Sequence, residues 1–330
     1  MFTYFFLNQY NNQGRFLKTM TTSTRVLTRM KRSWGEVKKK RWAYAYAFIS
    51  PFYILFAIFS VYPIIFSIYL SFTKWKGMGP KVFVGLENYR RLFGDPIFWQ
   101  SIRNSVIIFF MYVPIMTLLA LILAVILNAK FVRFFQVFRT MIFIPYVTTM
   151  IAVGFVFRMM LNAKYGLFNT VLTSIGIPAV PWLENVWWAR VSISLLIIWA
   201  WLGYNMVIMQ AGLQTIPKDL VEAATIDGAN QVQAFFRITV PLMRPIILFS
   251  IILSTIGSFG LFNEVYALTA GKQLGQLGGP MYATITPVVY IYQQAFQSYK
   301  FGYASAVSYV YFAIIFVLTL LQLRYFGRED

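Results

Sequence analysis

Six stretches of the chain are continuously apolar: residues 43–72, 106–127, 141–161, 191–213, 246–262 and 303–323. Five hold no charged residue, and the third holds only Arg158. Each reaches or approaches the ~20 residues that a membrane-spanning helix needs. A β-barrel would show ~10-residue segments of alternating polarity instead, so the pattern predicts an all-α, polytopic membrane protein with six transmembrane helices. Pro51 and Pro63 fall inside the first span and predict a kink there. Pro145 lies near the start of the third.

The stretches between the spans are unequal. Residues 73–105 and 162–190 form two loops on one side, the first with a turn-like Gly94-Asp95-Pro96 and the second rich in Pro and Trp. Residues 214–245 form the one long connection on the other side. Within it, VEAATIDGANQVQAFFRITVP (221–241) is too polar for lipid. Pro217 suits the first turn of a helix, and Asp219 and Glu222 place negative charge where the helix dipole favours it. Gly228 then allows a bend or the close approach of another backbone. Pro241 and Pro245 mark re-entry into the fifth span. Ala223 and Ala224 give the front helix a small-residue face, which fits either a tidy loop or a plug for a groove in another protein.

Composition agrees with the pattern: 59% of residues are hydrophobic and 12% charged, too oily for a soluble chain of 330 residues. The net charge of +19 could point to nucleic acid, but ten of the 29 Lys and Arg precede residue 43. A basic tail flanking a first span holds that flank in the cytoplasm and contacts anionic lipid. Nucleic acid is therefore not an expected partner, and membrane lipid is. Six spans then put both termini in the cytoplasm. Outside the tail the bias is reversed, with eight Lys and Arg on the inner side and 11 on the outer. The absence of Cys and His excludes disulfides and removes the commonest metal ligands, so no metal site is expected. The opening MFTYFFLNQY is apolar but too short to span, and it lacks the basic n-region of a signal peptide.

The 221–241 stretch resembles the EAA loop of inner-membrane subunits of binding-protein-dependent ABC importers. That signature runs Glu-Ala-Ala, three residues, Gly, nine residues, Ile, one residue, Leu-Pro. Here it reads Glu222, Ala223, Ala224, Gly228, Ile238 and Pro241, with Asp227 before the glycine and Val240 where Leu is usual. VGLENY (84–89), DPIFW (95–99) with Asn104, FRT (138–140) with Pro145, YGLFN (165–169) and AGLQTIP (211–217) are similar to the carbohydrate-uptake branch. So are GGP (278–280) with Thr284, and Tyr292 through GYASA (302–306). The resemblance covers about residues 43–326 and is to permeases of the maltose-transporter type, within the type I importer fold.

What it implies is a domain plan and a mechanism. Residues 1–42 are a basic cytoplasmic tail, 43–326 the permease domain with a cytoplasmic coupling helix in 217–241, and 327–330 a short C-terminal tail. The permease, in a bacterial inner membrane, pairs with a second homologous permease as a heterodimer. It presses residues 217–241 onto one of two cytoplasmic ATPase subunits and takes substrate from a periplasmic solute-binding protein. Glu222 would pair with a basic ATPase residue. The chain is then not an enzyme, and ATP and Mg belong to the partners; it lacks the G-x-x-x-x-G-K-[ST] of a P-loop.

Sugars are held by aromatic faces and polar side chains. Trp199, Trp201, Tyr204, Asn205 and Gln210 in the fourth span are candidates for the substrate path, with Phe259, Phe262, Asn263 and Glu264 at the end of the fifth. Helix–helix hydrogen bonds and interfacial anchoring explain the same residues equally well. The outer Lys and Arg excess fits an acidic oligosaccharide, as for alginate importers, or an acidic surface on the binding protein, and it is consistent with a neutral oligosaccharide as well. A secondary transporter of sugars or other small solutes is the alternative, but it would usually need paired intramembrane acids, and Glu264 stands alone. A membrane enzyme is disfavoured by the lack of His and of any acidic cluster.

Overall fold

The computed structural model of the chain describes residues 42, 44–128, 134–270 and 277–326. The tails expected at 1–42, Trp42 apart, and 327–330 lie outside them. Two units emerge, one ending at Phe66 and the other beginning at Ser67.

The first unit is the greater part of α1 (Tyr44–Ser71), an apolar helix long enough to cross a membrane. Its predicted kink takes the form of a π-turn at Ala57–Val61. The cause is Pro63, which has no N–H and whose ring crowds the carbonyl of Phe59, so one wider turn absorbs the conflict.

The second unit opens with the end of α1 and a two-stranded ribbon, β1 (Thr73–Lys74) paired antiparallel with β2 (Val82–Phe83). A short helix α2 (Glu87–Phe93) leads into α3 (Pro96–Asn128). Asp95 caps α3, its Oδ1 accepting from the amides of Ile97 (3.0 Å) and Phe98 (3.4 Å). The apparent turn Gly94-Asp95-Pro96 is thus a helix start, with Pro at the first helical position. At 33 residues α3 is about 50 Å long and outreaches the ~30 Å hydrocarbon layer.

The span expected at 141–161 is not one rod. It is α4 (Phe135–Val147) and α5 (Met150–Met160), bent by 95°. Thr148 and Thr149 between them are extended, and Thr148 donates its hydroxyl to the Pro145 carbonyl. Two β-branched residues shortly after a proline, the first bonding its hydroxyl back to the last turn, stop the helix. Then follow α6 (Leu167–Ser174) and the long α7 (Val186–Leu213), which Asn185 caps by accepting from the amides of Trp187 and Trp188.

After α7 come α8 (Lys218–Ile226) and α9 (Val232–Leu242). The latter is bent by 64° against α10 (Arg244–Phe259), and a π-turn at Phe235–Thr239 again precedes a proline, Pro241. The chain closes with α11 (Asn263–Thr269), α12 (Pro287–Tyr292) and α13 (Phe301–Phe326). The described residues hold four helices able to span, or six spans if each bent pair counts as one.

α3 and α7 form the central pair. Lipid is as apolar as a leucine, so close fit rather than escape from water holds such helices together. Small residues therefore mark the crossings. Ala120 and Ala124 of α3 are fully buried in one cluster with Met206, Met209 and Met243. A Cβ on Gly203 would collide with the backbone of Ile142 and Phe143, so glycine is what lets α4 cross α7. Gly154 of α5 meets Ala267 of α11 in the same way.

Candidate functional site: a central cavity and an exposed loop

A cavity of about 400 Å³ opens among α3, α7, α10 and the start of α11. That lies within the ~300–1,000 Å³ range of small-molecule sites. Its wall includes Trp201, Tyr204 and Asn205 of α7, and Asn263 and Glu264 of α11. The aromatic side is rigid: Tyr146 stacks on Tyr204 at 4.7 Å and meets Trp201 edge-on at 5.2 Å. Both contacts depend on the α4–α7 crossing at Gly203.

Most polar groups in the wall are occupied. Asn205 Nδ2 donates to the Trp201 carbonyl (3.1 Å), and its Oδ1 accepts from Ser250 (2.6 Å). Tyr112 donates to the Ser254 carbonyl at 3.0 Å and shares a 2.6 Å bond with Ser258. Glu264 is the carboxylate of this wall, a residue only 6% exposed, with the Trp201 indole and the amides of Phe262 and Glu264 close to its carboxyl group. Its helix is fixed from behind: Arg158 of α5 donates to the Ala270 carbonyl, and Thr286 to that of Leu261.

Of the residues that sequence assigns to a substrate path, the structure brings Trp201, Tyr204, Asn205, Asn263 and Glu264 together, and Phe262 with them. Gln210 and Phe259 are buried but outside the wall, and Trp199 packs on Phe157 at 5.3 Å. Sequence reading misses Tyr112, Met116, Ser254, Gly257 and Gly260, which also line the cavity. Only the chance of Tyr112 being polar inside an uncharged span could have signalled them.

At the other end of α7 the loop is exposed. Glu222, Ala223, Asp227 and Gly228 face solvent, Ala224 and Ile238 are half-buried, and Pro241 is exposed. Gly228 has φ +88°, its amide donates to the Thr225 carbonyl (3.1 Å), and the Ala229 amide donates to that of Ala224 (2.9 Å). These two bonds are a Schellman termination of α8. A Cβ there would meet nothing within 4 Å, so the backbone angle alone demands glycine. Two residues on, Asn230 and Gln233 exchange side-chain-to-amide bonds of 2.9 and 2.8 Å, a capping box that starts the next helix. Apolar side chains stand out around this frame, Ile226 at 86% exposure with Val232 and Phe236 beside it in sequence.

A third group ties the opposite end together. Asp95 Oδ2 accepts from Tyr303 (2.6 Å) and from Tyr290. Burial works to raise the Asp95 carboxyl, but these phenols and the Ile97 and Phe98 amides outweigh it and hold the group below its ordinary value. Arg91 lies over the Tyr303 ring at 4.9 Å. Nearby, Arg190 donates to the Ala283 carbonyl and to Asn104 Oδ1, both at 3.0 Å. These bonds clamp the starts of α3, α7 and α13.

A family model described as "Binding-protein-dependent transport system inner membrane component" matches residues 96–328, more than half of the chain. The chain belongs to this family. As a permease component it is 42% identical over 285 residues to the lactose transport system permease protein LacF of Rhizobium radiobacter, covering 86% of this chain and 93% of that protein. It is 36% identical over 283 residues to the arabinooligosaccharides transport system permease protein AraP of Halalkalibacterium halodurans, covering 86% and 87%. Its fold is similar to a chain of a bacterial ABC transporter involved in the import of the acidic polysaccharide alginate. That match has a TM-score of 0.72 and 22% identity, and covers 91% of this chain and 99% of the other. At such identity the likeness is one of fold, and it places the bent pairs and the long helices of this permease in the type I importer architecture.

Proposed function

We propose that this permease carries a carbohydrate through the cavity and is driven by a cytoplasmic ATPase docked on residues 217–241. The observation that carries the reading is that one helix leads from the cavity wall to the exposed loop. α7 presents Trp201, Tyr204 and Asn205 to the cavity and ends at Leu213, directly before α8 with its exposed Glu222-Ala223 face. A movement of α8 is thereby transmitted to the cavity wall through a single helix. The names of LacF and AraP support a carbohydrate as cargo, and the aromatic wall suits one.

In this reading the loop end faces the cytoplasm, with both termini on that side of an inner membrane. A second permease completes the path, two ATPase subunits supply ATP and Mg, and a solute-binding protein delivers cargo at the end held by Asp95 and Arg190. Glu222 pairs with a basic residue of the ATPase. The exposed Ile226 and Val232 supply apolar contact around that pair.

Co-expression with the neighbouring subunits tests this. The wild-type chain should copurify with an ATPase subunit and support ATP-dependent saccharide uptake in proteoliposomes. Glu222→Lys should reduce both at least tenfold. Unimpaired uptake in Glu222→Lys would remove the coupling role, and uptake without any ATPase would favour a secondary transporter.

A further inference from the structure

The cavity wall has one ionisable carboxylate and no counter-charge. Among the described residues that line it, none is Lys or Arg. The outer cations sit elsewhere: Arg190 is spent on Asn104 and Ala283, Arg158 on Ala270, and Arg91 on the Tyr303 ring. Resting on the carbohydrate reading above, we propose that Glu264 makes this chain's share of the path a charge filter, admitting neutral, hydroxyl-rich saccharides and excluding acidic ones.

The chemistry runs as follows. Glu264 is buried without a counter-charge, so its charged form is costly in the empty cavity, and a pair of neighbouring sugar hydroxyls donating to its two oxygens supplies the pairing that the wall lacks, in bonds stronger than neutral ones. The Trp201 indole and two amides lie beside the carboxyl group in a cavity already formed, so little ordering remains to be done when a sugar arrives. A uronate presents the opposite case. Its carboxylate would leave water for a wall without a cation, beside a like charge, and a buried charge is tolerated only when paired. A protonated Glu264 changes the second penalty and not the first. The outer Lys and Arg excess therefore has no bearing on what the cavity accepts. Specificity against the wrong charge is built as repulsion in the path itself.

The test is direct binding to the purified permease–ATPase complex without its solute-binding protein, read by saturation-transfer NMR. The probes are a panel of neutral di- and trisaccharides against digalacturonate and trigalacturonate. Wild type should bind at least one neutral saccharide about tenfold or more tighter than either uronate, where tenfold is ~1.4 kcal/mol. Glu264→Gln should narrow that gap to within about threefold, and Glu264→Asp should restore much of it. Retention of the ATPase subunit shows that each variant is folded. Equal binding of uronates by wild type, or an unchanged gap in Glu264→Gln, overturns the filter while leaving carbohydrate transport intact. If no saccharide binds and the uptake assay carries some other solute, the carbohydrate reading and the filter fall together.

Discussion

The cavity and the coupling loop are built on opposite principles. The cavity is assembled from α3, α7, α10 and α11, elements as far apart in sequence as Tyr112 and Glu264, and Tyr112 and Asn205 in its wall are bonded across helices. The loop is a continuous stretch framed by local bonds, a Schellman end and a capping box within ten residues, with Glu222, Ala223, Ile226 and Val232 facing outward. A site that holds a small solute needs long-range packing to fix its geometry. A site that awaits a protein partner needs only a stiff local scaffold and an unfilled surface.

That contrast can be broken most severely at Gly203. Gly203→Leu places a side chain where the Ile142 carbonyl lies, so α4 cannot cross α7 and the Tyr146–Tyr204 stack is lost. Overpacking of this kind costs about 1–3 kcal/mol or more. Thermal unfolding of the solubilised complex should show the loss, together with failed saccharide binding. Intact cavity binding in Gly203→Leu would mean that the crossing does not shape the wall.

Next is Asp95, which accepts four hydrogen bonds at the start of α3. Asp95→Ala leaves two phenols and two amides short of an acceptor, at about 1–3 kcal/mol. The pH dependence has a definite sign. Because the carboxyl is held below its ordinary value of ~3.9, its contribution is complete above that pH and fades only as pH falls through the lowered folded value. Stability between pH 5 and 8 should show no Asp95 step, checked by unfolding midpoints of wild type and variant across about that range.

The smallest effects belong to the loop. Gly228→Ala forces a side chain into a left-handed angle with free space around it, and should cost about 1 kcal/mol. Asn230→Ala removes a cap worth ~1 kcal/mol. Both should weaken ATPase association several-fold in pull-down titrations while leaving saccharide binding at the cavity unchanged. Loss of cavity binding in either would erase the distinction between the two regions.

The same difference explains what the chain reveals before folding. The spans announce themselves through uncharged runs, because lipid tolerates little else, and the loop through spacing, because Glu222, Gly228 and Pro241 act within one local frame. The 95° break between α4 and α5 was hidden: Thr148 and Thr149 are ordinary in a span until their backbone turns extended. Half the cavity was hidden too. Tyr112, Ser254 and Gly257 acquire meaning only when α3 and α10 are set beside α7, and no local pattern records that meeting. The cap at Asp95 was visible as a turn, but its phenol partners lie about 200 residues away.

The most direct test uses the absence of cysteine in the chain. α7 is about 42 Å long, with the Arg190 clamp near its start and the loop after its end, so single cysteines in the loop and in the β1–β2 turn report on different partners. Ala223→Cys and Met78→Cys, the latter at a site 91% exposed in the turn between β1 and β2, would each be combined with a bifunctional thiol–amine cross-linker in the assembled complex. The account predicts that Ala223→Cys cross-links to the ATPase subunit and Met78→Cys does not. Cross-linking of the ATPase through Met78→Cys, or through neither position, would contradict it.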